Sequence, residues 1–456
     1  MDLISIIESI NEILWGPIML MLLLGTGVLF TVKLRFIQLR RLKDTVKETF
    51  RKNEGIEADE QGMSSFQALA TAIAAQVGTG NLAGVATAIG AGGPGAVFWM
   101  WISGVFGMGT IFAEAVISQV HTEKVGSQVT GGPAYYIKNG LGSKALAAFF
   151  AVAIVLALGF MGNMVQSNSI SEAMYTAFEI PPIATGLVIA ILVGLIVIGG
   201  MKRIAHFTSR VVPVMAVFYL LGALVIMITH YQEIIPSIQL IFHSAFNPTA
   251  ATGGVVGVTV REVFRYGIAR GLFSNEAGMG STPHAHAVAK VKHPAQQGLV
   301  GIFGVLFDTG IVCTMTALVI IVTGSYTTDL IGIELTQHGF YEGFGTFGGA
   351  FIAVSMFFFA LSTIISWYFF AEANIRYLFS TRYLKIFQAL VLVFVVVGTT
   401  LEVDVVWELA DMFNGLMIIP NLIALLGMVS LVVKILNDYE NNYEKNQPSE
   451  YEKSYE

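Results

Sequence analysis

What most limits the folds open to this chain is a succession of apolar runs, each long enough to cross the roughly 30 Å hydrocarbon core of a bilayer, separated by short polar links. In hydrocarbon no water satisfies backbone N–H and C=O groups, so spanning segments must be helices or closed barrels. The alternating pattern with turns about every ten residues that marks a barrel is missing. Only 12% of the 456 residues are charged and 55% are hydrophobic, against about 25% charged in a soluble domain. Mean hydropathy is +0.70. The expectation is an all-α polytopic membrane protein of eleven spans, near 13–32, 64–91, 95–120, 145–173, 183–200, 206–230, 256–284, 297–323, 346–375, 383–400 and 405–435. The first run lacks a basic leader and precedes a basic segment, so it reads as a retained span. A single cysteine, Cys313, excludes an internal disulfide, and a net charge of −6 gives no reason to expect a nucleic-acid partner.

Lysine and arginine placement orients the chain. The 33–53 link holds Lys33, Arg35, Arg40, Arg41, Lys43, Lys47, Arg51 and Lys52, and alternate links carry Lys124, Lys138, Lys144, Lys202, Arg203, Arg210, Lys290, Lys292, Arg376, Arg382 and Lys385. The opposite links carry Glu179, Glu233, Asp329, Glu334, Glu342, Glu402 and Asp404. The N-terminus is therefore expected outside and the C-terminus in the cytoplasm of a plasma-membrane protein. The 33–53 link fits either a solvated basic loop or an amphipathic surface helix. The polar segment 436–456 is expected to be a disordered cytoplasmic tail.

Within the second run, "AAQVGTGNLAG" (74–84) gathers Gly78, Gly80 and Gly84 beside Gln76, Thr79 and Asn81. Gly costs about 1 kcal/mol against Ala inside a soluble helix. Close packing of small residues explains Ala75, Gly80 and Gly84 but not the polar trio. "GTGNLAG" approximates a dinucleotide-binding glycine motif, yet it lacks the preceding strand. A discontinuous helix explains more: freed N–H groups and a half-helix N-terminus suit an anionic group, and freed carbonyls suit a cation. An inverted repeat should carry a second break. In the seventh run "NEAG" (275–278) echoes "NLAG" (81–84), five spans later. An odd number of spans per repeat inverts the second copy. This divides the chain into a leading helix and basic link (1–63), repeats at 64–230 and 231–435, and the tail from 436.

With these breaks, the "GGPAYYIKNGLG" loop (131–142), "GLFSNEAGMGSTPHAHA" (271–287) and the extra leading helix, the chain resembles the alanine/glycine:cation symporter family along essentially its whole length. The resemblance implies a LeuT-like fold, two inverted five-helix repeats with two discontinuous helices, and symport of small neutral amino acids with Na+ or H+. It implies no organic cofactor and no enzymatic activity.

Carried onto this sequence, the resemblance has the N–H groups of Thr79 and Gly80, beside Gly78, face a substrate carboxylate. Carbonyls of Ala74 and Val77 would hold sodium with the hydroxyls of Ser362 and Thr363, in a run where the plain alternative is hydroxyls bonded to the preceding helical turn. Gln76 and Asn81 would brace the break or reach substrate or cation. Carbonyls around Gly271, Leu272 and Phe273 would take the substrate ammonium, with Ser274 and Asn275 adding polar contacts. Trp367, one turn from Thr363, would shorten the pocket, a role Phe273 could share, or would simply pack. Asn163 and Gln166 would bond the substrate, clamp the first break or join helices. Asp308, mid-span, would hold a cation, carry a proton or serve a structural hydrogen-bond role.

Glu276 is expected to pair with a neighbouring helix end, and Glu114 and Glu372 to be structural or gating residues. Arg261 and Arg265, which break the charge trend, are expected to line a wet outer vestibule, and His284 and His286 to lie on the surface near the inner mouth. "TGGPAYYIKNG" (130–140) reads as a short inner-loop helix. A channel would need a continuous polar pore, and an enzyme a nucleophile–base pair or metal cluster. The sequence offers neither. The expected partners are a small neutral amino acid and membrane lipid, with a monomer as the expected state.

Overall fold

A computed structural model describes residues 3–51, 62–247, 259–401 and 403–453. Lys52, Glu402, the last three residues of the tail and the start of the expected 256–284 span lie outside these. The described chain is a helical bundle of α1 (Leu3–Leu14), α2 (Pro17–Lys33), α3 (Leu42–Thr49), α4 (Ser65–Gln76), α5 (Val85–Gly92), α6 (Ala96–Val120), α7 (Pro133–Gly140), α8 (Lys144–Phe178), α9 (Pro182–Val197), α10 (Gly200–Thr229), α11 (Tyr231–Ser244), α12 (Val260–Asn275), α13 (Pro283–Ala287), α14 (Pro294–Val322), α15 (Gly332–Phe344), α16 (Thr346–Phe379), α17 (Leu384–Gly398), α18 (Val403–Gly427) and α19 (Val429–Asn441).

Seven helices among the described residues are long and apolar enough to span a bilayer, and an eighth span forms if α4 and the bent segment Gly80–Gly92 are counted as one. α9 and α17 are apolar but shorter, and α12 has 16 residues. Length and composition therefore carry eight of the eleven expected spans. α6 packs on α2, α12 and the first half of α14; α16 packs on α4, α10 and the second half of α8. These two groups enclose the two interrupted helices.

Both interrupted helices start from capping boxes, which satisfy N–H groups that have no intrahelical partner. The Ser64 hydroxyl accepts from the Gln67 amide and the Gln67 side chain from the Ser64 amide. Thr259 and Glu262 repeat the device on α12. The strand β1 (Met63–Ser64) pairs in parallel with β4 (Ala289–Lys290), tying the start of the first interrupted helix to the end of the second. A hairpin, β2 (Glu123–Val125) and β3 (Gln128–Thr130), precedes α7, which forms where the "GGPAYYIKNG" loop helix was expected.

At the basic end one open alternative is decided and one expectation is corrected. The 33–53 link is helical over Ile37–Arg40 and α3, with Leu39, Leu42, Val46 and Phe50 exposed, so the amphipathic reading prevails over the loop. The segment from 436 is folded through Lys453. Glu440 pairs with Arg35, Arg40 and Arg41, and Glu444 with Arg41. Burial pushes the Asp438 carboxyl upward, but hydrogen bonds from Ser449, Asn442, His293 and the Glu450 amide outweigh it and hold the group near pH 2. Lys453 donates through Nζ to Gln119 O (2.8 Å) and Oε1 (2.7 Å), and burial lowers its pKa to about 8. Polar composition suggested disorder because it hid the complementary charges on the 33–53 link.

Ending the chain at Asn441 should lower the unfolding midpoint in detergent by a few degrees, as expected for a loss of about 1–3 kcal/mol. An unchanged midpoint would show that the terminal segment is not part of the folded unit.

Candidate functional site

The first interruption falls at Val77–Thr79, followed by a wide π-turn over Gly80–Gly84; α4 and the following helix meet at 49°. The Val77 amide still bonds Ile73 O, but the Gly78 amide turns to Gln76 O (3.1 Å) and Asn81 Oδ1 (2.9 Å). Ala74 O thus loses its helical donor and instead accepts from Thr363 Oγ1 at 2.9 Å, with Val77 O 3.5 Å from the same hydroxyl. Three oxygens from two elements converge here, a donor set of the kind a hard cation requires.

Glycine makes this approach possible. A Cβ on Gly78 would overlap the Thr363 hydroxyl and stand 3.1 Å from Gln166 Oε1, and one on Gly80 would stand 3.1 Å from Ser274 Cα. Gly84, in the same motif, has nothing nearer than 3.9 Å. Two glycines therefore admit α16, α8 and α12 to the break, and the third does not.

Gln166, on α8, clamps the break. Its Oε1 accepts from the Thr79 amide (3.3 Å) and its Nε2 donates to Thr79 Oγ1 (2.9 Å). Asn163 donates only to Gly159 O within its own helix. Gln76 braces in another direction, donating to Asn275 O at 2.7 Å and joining the two interruptions directly.

The second interruption runs from Glu276 to Thr282, with Glu276, Gly278 and Gly280 at positive φ. It begins after "SN", whereas the first precedes Asn81. The "NLAG"/"NEAG" echo thus found the right pair of helices in a different backbone register. Gly271 and Leu272 lie within intact α12, where Leu272 O accepts from the Glu276 amide at 2.9 Å, so the expected release of carbonyls does not reach them; Phe273 O does lose its helical donor, because the Ala277 amide turns to Asn275 Oδ1 (3.1 Å). Gly271 serves close packing, since a Cβ there would strike Ser103 and Met100.

Asp308 links both interruptions. It lies in the π-helical turn Leu306–Cys313 of α14 and is fully buried. It accepts from Asn81 Nδ2 (2.6 Å), Ser274 Oγ (3.0 Å) and Thr309 Oγ1 (2.8 Å). The Asn275 side chain completes the cluster through Thr309 (3.3 Å). The Ser362 hydroxyl donates to Phe359 O (2.8 Å) and lies 3.5 Å from Met215 Sδ, so it takes the preceding-turn carbonyl; the Thr363 hydroxyl also lies 3.1 Å from Phe359 O but reaches Ala74 O and Val77 O as well.

Glu276 accepts from Trp367 Nε1 (2.7 Å) and Ser281 Oγ (2.6 Å). Glu114, on α6, takes the amides of Gly278 (3.0 Å) and Gly280 (3.1 Å) and the side chain of Asn421 (2.7 Å). Asn421 also receives the Tyr136 hydroxyl. Sequence reading missed Asn421; its signal was one amide in the apolar "IIPNLIA". It also missed α15, whose Thr336 hydroxyl donates to Leu82 O in the first π-turn (2.8 Å). Glu372 pairs with Arg376 one turn away. His284 and His286 are buried rather than superficial: His284 stacks between Phe150 and Phe370, and His286 Nδ1 accepts from Gln297 Nε2 at 2.8 Å.

At the end of the bundle opposite the basic links, Asn11, Trp15, Arg265, Arg270, Glu408 and Asp411 line a vestibule of about 390 Å³. Phe273 forms part of its lining and meets Trp407 with ring centroids 5.8 Å apart, and the Arg270 guanidinium lies over Trp407 at 5.6 Å. Arg265 is where a wet vestibule was expected. Arg261 is not in its lining.

The structure resembles MhsT in complex with L-phenylalanine, with a TM-score of 0.56 at 15% identity over 84% of this chain and 90% of that one. A manganese transporter from Eremococcus coleocola matches with a TM-score of 0.54 at 11% identity, over 88% and 85%. The fold is thus that of the LeuT-like transporters. Among sequence relatives, the sodium/alanine symporter AgcS of Methanococcus maripaludis is 41% identical over 98% of this chain and its own full length. The probable sodium/glutamine symporter GlnT of Bacillus subtilis is 39% identical over 95% and 90%. The family model described as "Sodium:alanine symporter family" matches residues 1–453, and this chain belongs to that family of membrane transporters.

Proposed function

We propose that the protein couples inward movement of sodium to uptake of a small neutral amino acid, with alanine and glycine as substrates. The observation that carries this reading is the convergence of Ala74 O, Val77 O and Thr363 Oγ1 at a break that Gln76 ties to the second interrupted helix. A cation there rewards the closed arrangement of both interruptions, so ion and amino acid bind with positive coupling. The substrate carboxylate sits at the first break near Thr79 and Gly80, where Gln166 now holds the Thr79 amide and would exchange partners. Relatives named for alanine and for glutamine suggest that pocket size differs within the family. We assign Trp367 as the wall that keeps this pocket short.

The basic end faces the cytoplasm and the vestibule faces out. Residues 64–230 and 231–435 act as the two repeats whose rocking exposes the site to either side in turn. A second reading is proton coupling. It is favoured by Asp308, a buried carboxylate that contacts both interrupted helices and has no cationic partner in its hydrogen-bond cluster.

Labelled alanine should enter proteoliposomes under an inward Na+ gradient, and uptake indifferent to Na+ sinks the sodium assignment. A proton gradient that drives uptake in the wild type but not in Asp308→Asn would favour the second reading. Thr363→Ala should raise the Na+ concentration for half-maximal uptake about tenfold or more, the loss of one charge-assisted oxygen contact of about 1.5–3 kcal/mol. Ser362→Ala should leave it within about twofold, because only the Thr363 hydroxyl reaches Ala74 O and Val77 O; equal effects at the two positions would contradict the site. Gly78→Ala should reduce uptake at least about tenfold while Gly84→Ala retains it, since only the first Cβ meets a fixed neighbour. Equal tolerance would remove the steric argument.

A further inference from the structure

Glu276 is a buried carboxylate that uptake by the route above leaves without a task. It sits at the αL residue that ends α12, at φ 57°. That turn directs its side chain to α16, where Oε1 accepts from Trp367 Nε1, while Oε2 accepts from Ser281 across the interruption. Trp367 is 4% exposed and Glu276 2%. The indole ring is closed in from the other side by α8: a Cβ on Gly162 would stand 2.7 Å from its Cζ3.

These contacts stack in register with the first break. Thr363 and Trp367 are one turn apart on α16, and Gln166 and Gly162 are one turn apart on α8. Thr363 and Gln166 flank Gly78; Trp367 and Gly162 meet one turn away. On α12, Asn275 takes the Gln76 amide and its neighbour Glu276 takes Trp367. The indole therefore forms a floor beneath the break, and its tilt is fixed by a single acceptor with Gly162 at its back.

We infer that Glu276 is a positioning residue for substrate size: by anchoring the Trp367 indole it sets the depth of the amino acid pocket. This rests on the assignment of Trp367 as the pocket wall. An indole N–H left without an acceptor in this apolar interior must swing to find one, and the ring would then vacate the floor. The glycine at 162 leaves no other side chain to replace it.

The test compares purified wild type, Glu276→Ala, Glu276→Gln and Trp367→Phe in proteoliposomes, each first shown to be monodisperse. Inhibition of labelled alanine uptake by 2-aminobutyrate, valine and glutamine gives the size profile. Wild type should discriminate against the longer side chains, since one methylene in a tight pocket is worth roughly tenfold or more. Glu276→Ala should narrow that discrimination about tenfold while retaining Na+ dependence. Glu276→Gln keeps an acceptor for the indole and should keep the wild-type profile. Trp367→Phe lacks the N–H, so adding Glu276→Ala to it should change the profile no further. If Glu276→Ala lowers uptake of every amino acid equally, or if Glu276→Gln behaves as Glu276→Ala, the positioning role is overturned. If Trp367→Phe and Trp367→Ala both leave the profile of an active transporter unchanged, the pocket-wall assignment itself fails, an outcome distinguishable from failure of Glu276 alone.

Discussion

Everything in this molecule turns on backbone amides and carbonyls that two interrupted helices release where no water can satisfy them. In hydrocarbon each such group costs several kcal/mol if left alone. The structure answers with a partner for most of them. Thr363 covers Ala74 O, Gln166 covers the Thr79 amide, Asn81 covers the Gly78 amide, and Glu114 covers the amides of Gly278 and Gly280. These partners come from α16, α8, the first break itself and α6, so the surrounding bundle is organised as a frame for two defects. Gln76 then joins the defects to each other.

Such satisfaction has a functional side. A partner that is a side chain can be exchanged for a ligand, whereas a helical partner cannot without unfolding a turn. The Thr363 hydroxyl that donates to Ala74 O can turn its lone pair toward a cation that the same carbonyl also binds. The Gln166 amide can release Thr79 to a carboxylate. On the proposed assignments, occupancy by ion and substrate would replace internal hydrogen bonds one for one, which keeps the energy difference between empty and loaded states small.

Much of this was legible in the sequence because lipid enforces simple rules. Apolar length gave the long helices, and glycine beside Gln76, Thr79 and Asn81 marked the first break. Thr363 and Asp308 stood out as polar groups in apolar runs. What failed did so for identifiable reasons. Ser362 and Thr363 are adjacent hydroxyls, and which of them bonds its own helix rather than the break is set by packing that the sequence does not display. The second interruption lies within the stretch 271–287 where a break was expected, but the carbonyls of Gly271 and Leu272, assigned from the resemblance, precede it, because positive φ at Glu276, Gly278 and Gly280 sets its start. The terminal segment seemed disordered because Glu440, Glu444 and Lys453 meet their partners on segments hundreds of residues away.

The two breaks also differ in how they are stabilised. The first is held mainly by neutral donors and acceptors: Thr363, Gln166, Asn81 and Gln76. The second is held by carboxylates, Glu114 on its amides and Glu276 on Ser281 and Trp367. Between them, Asp308 reaches the first break through Asn81 and the last turn of α12 through Ser274. Trp367 is tied to the second interruption through Glu276, and the first is held by Thr363 and Gln166, side chains that a ligand can replace. On the assignments proposed above, selectivity for size rests on Glu276 and Trp367 at the second interruption and coupling to the ion on the first, so that substrate range can change by substitution around Glu276 and Trp367 without disturbing the oxygens at Ala74, Val77 and Thr363.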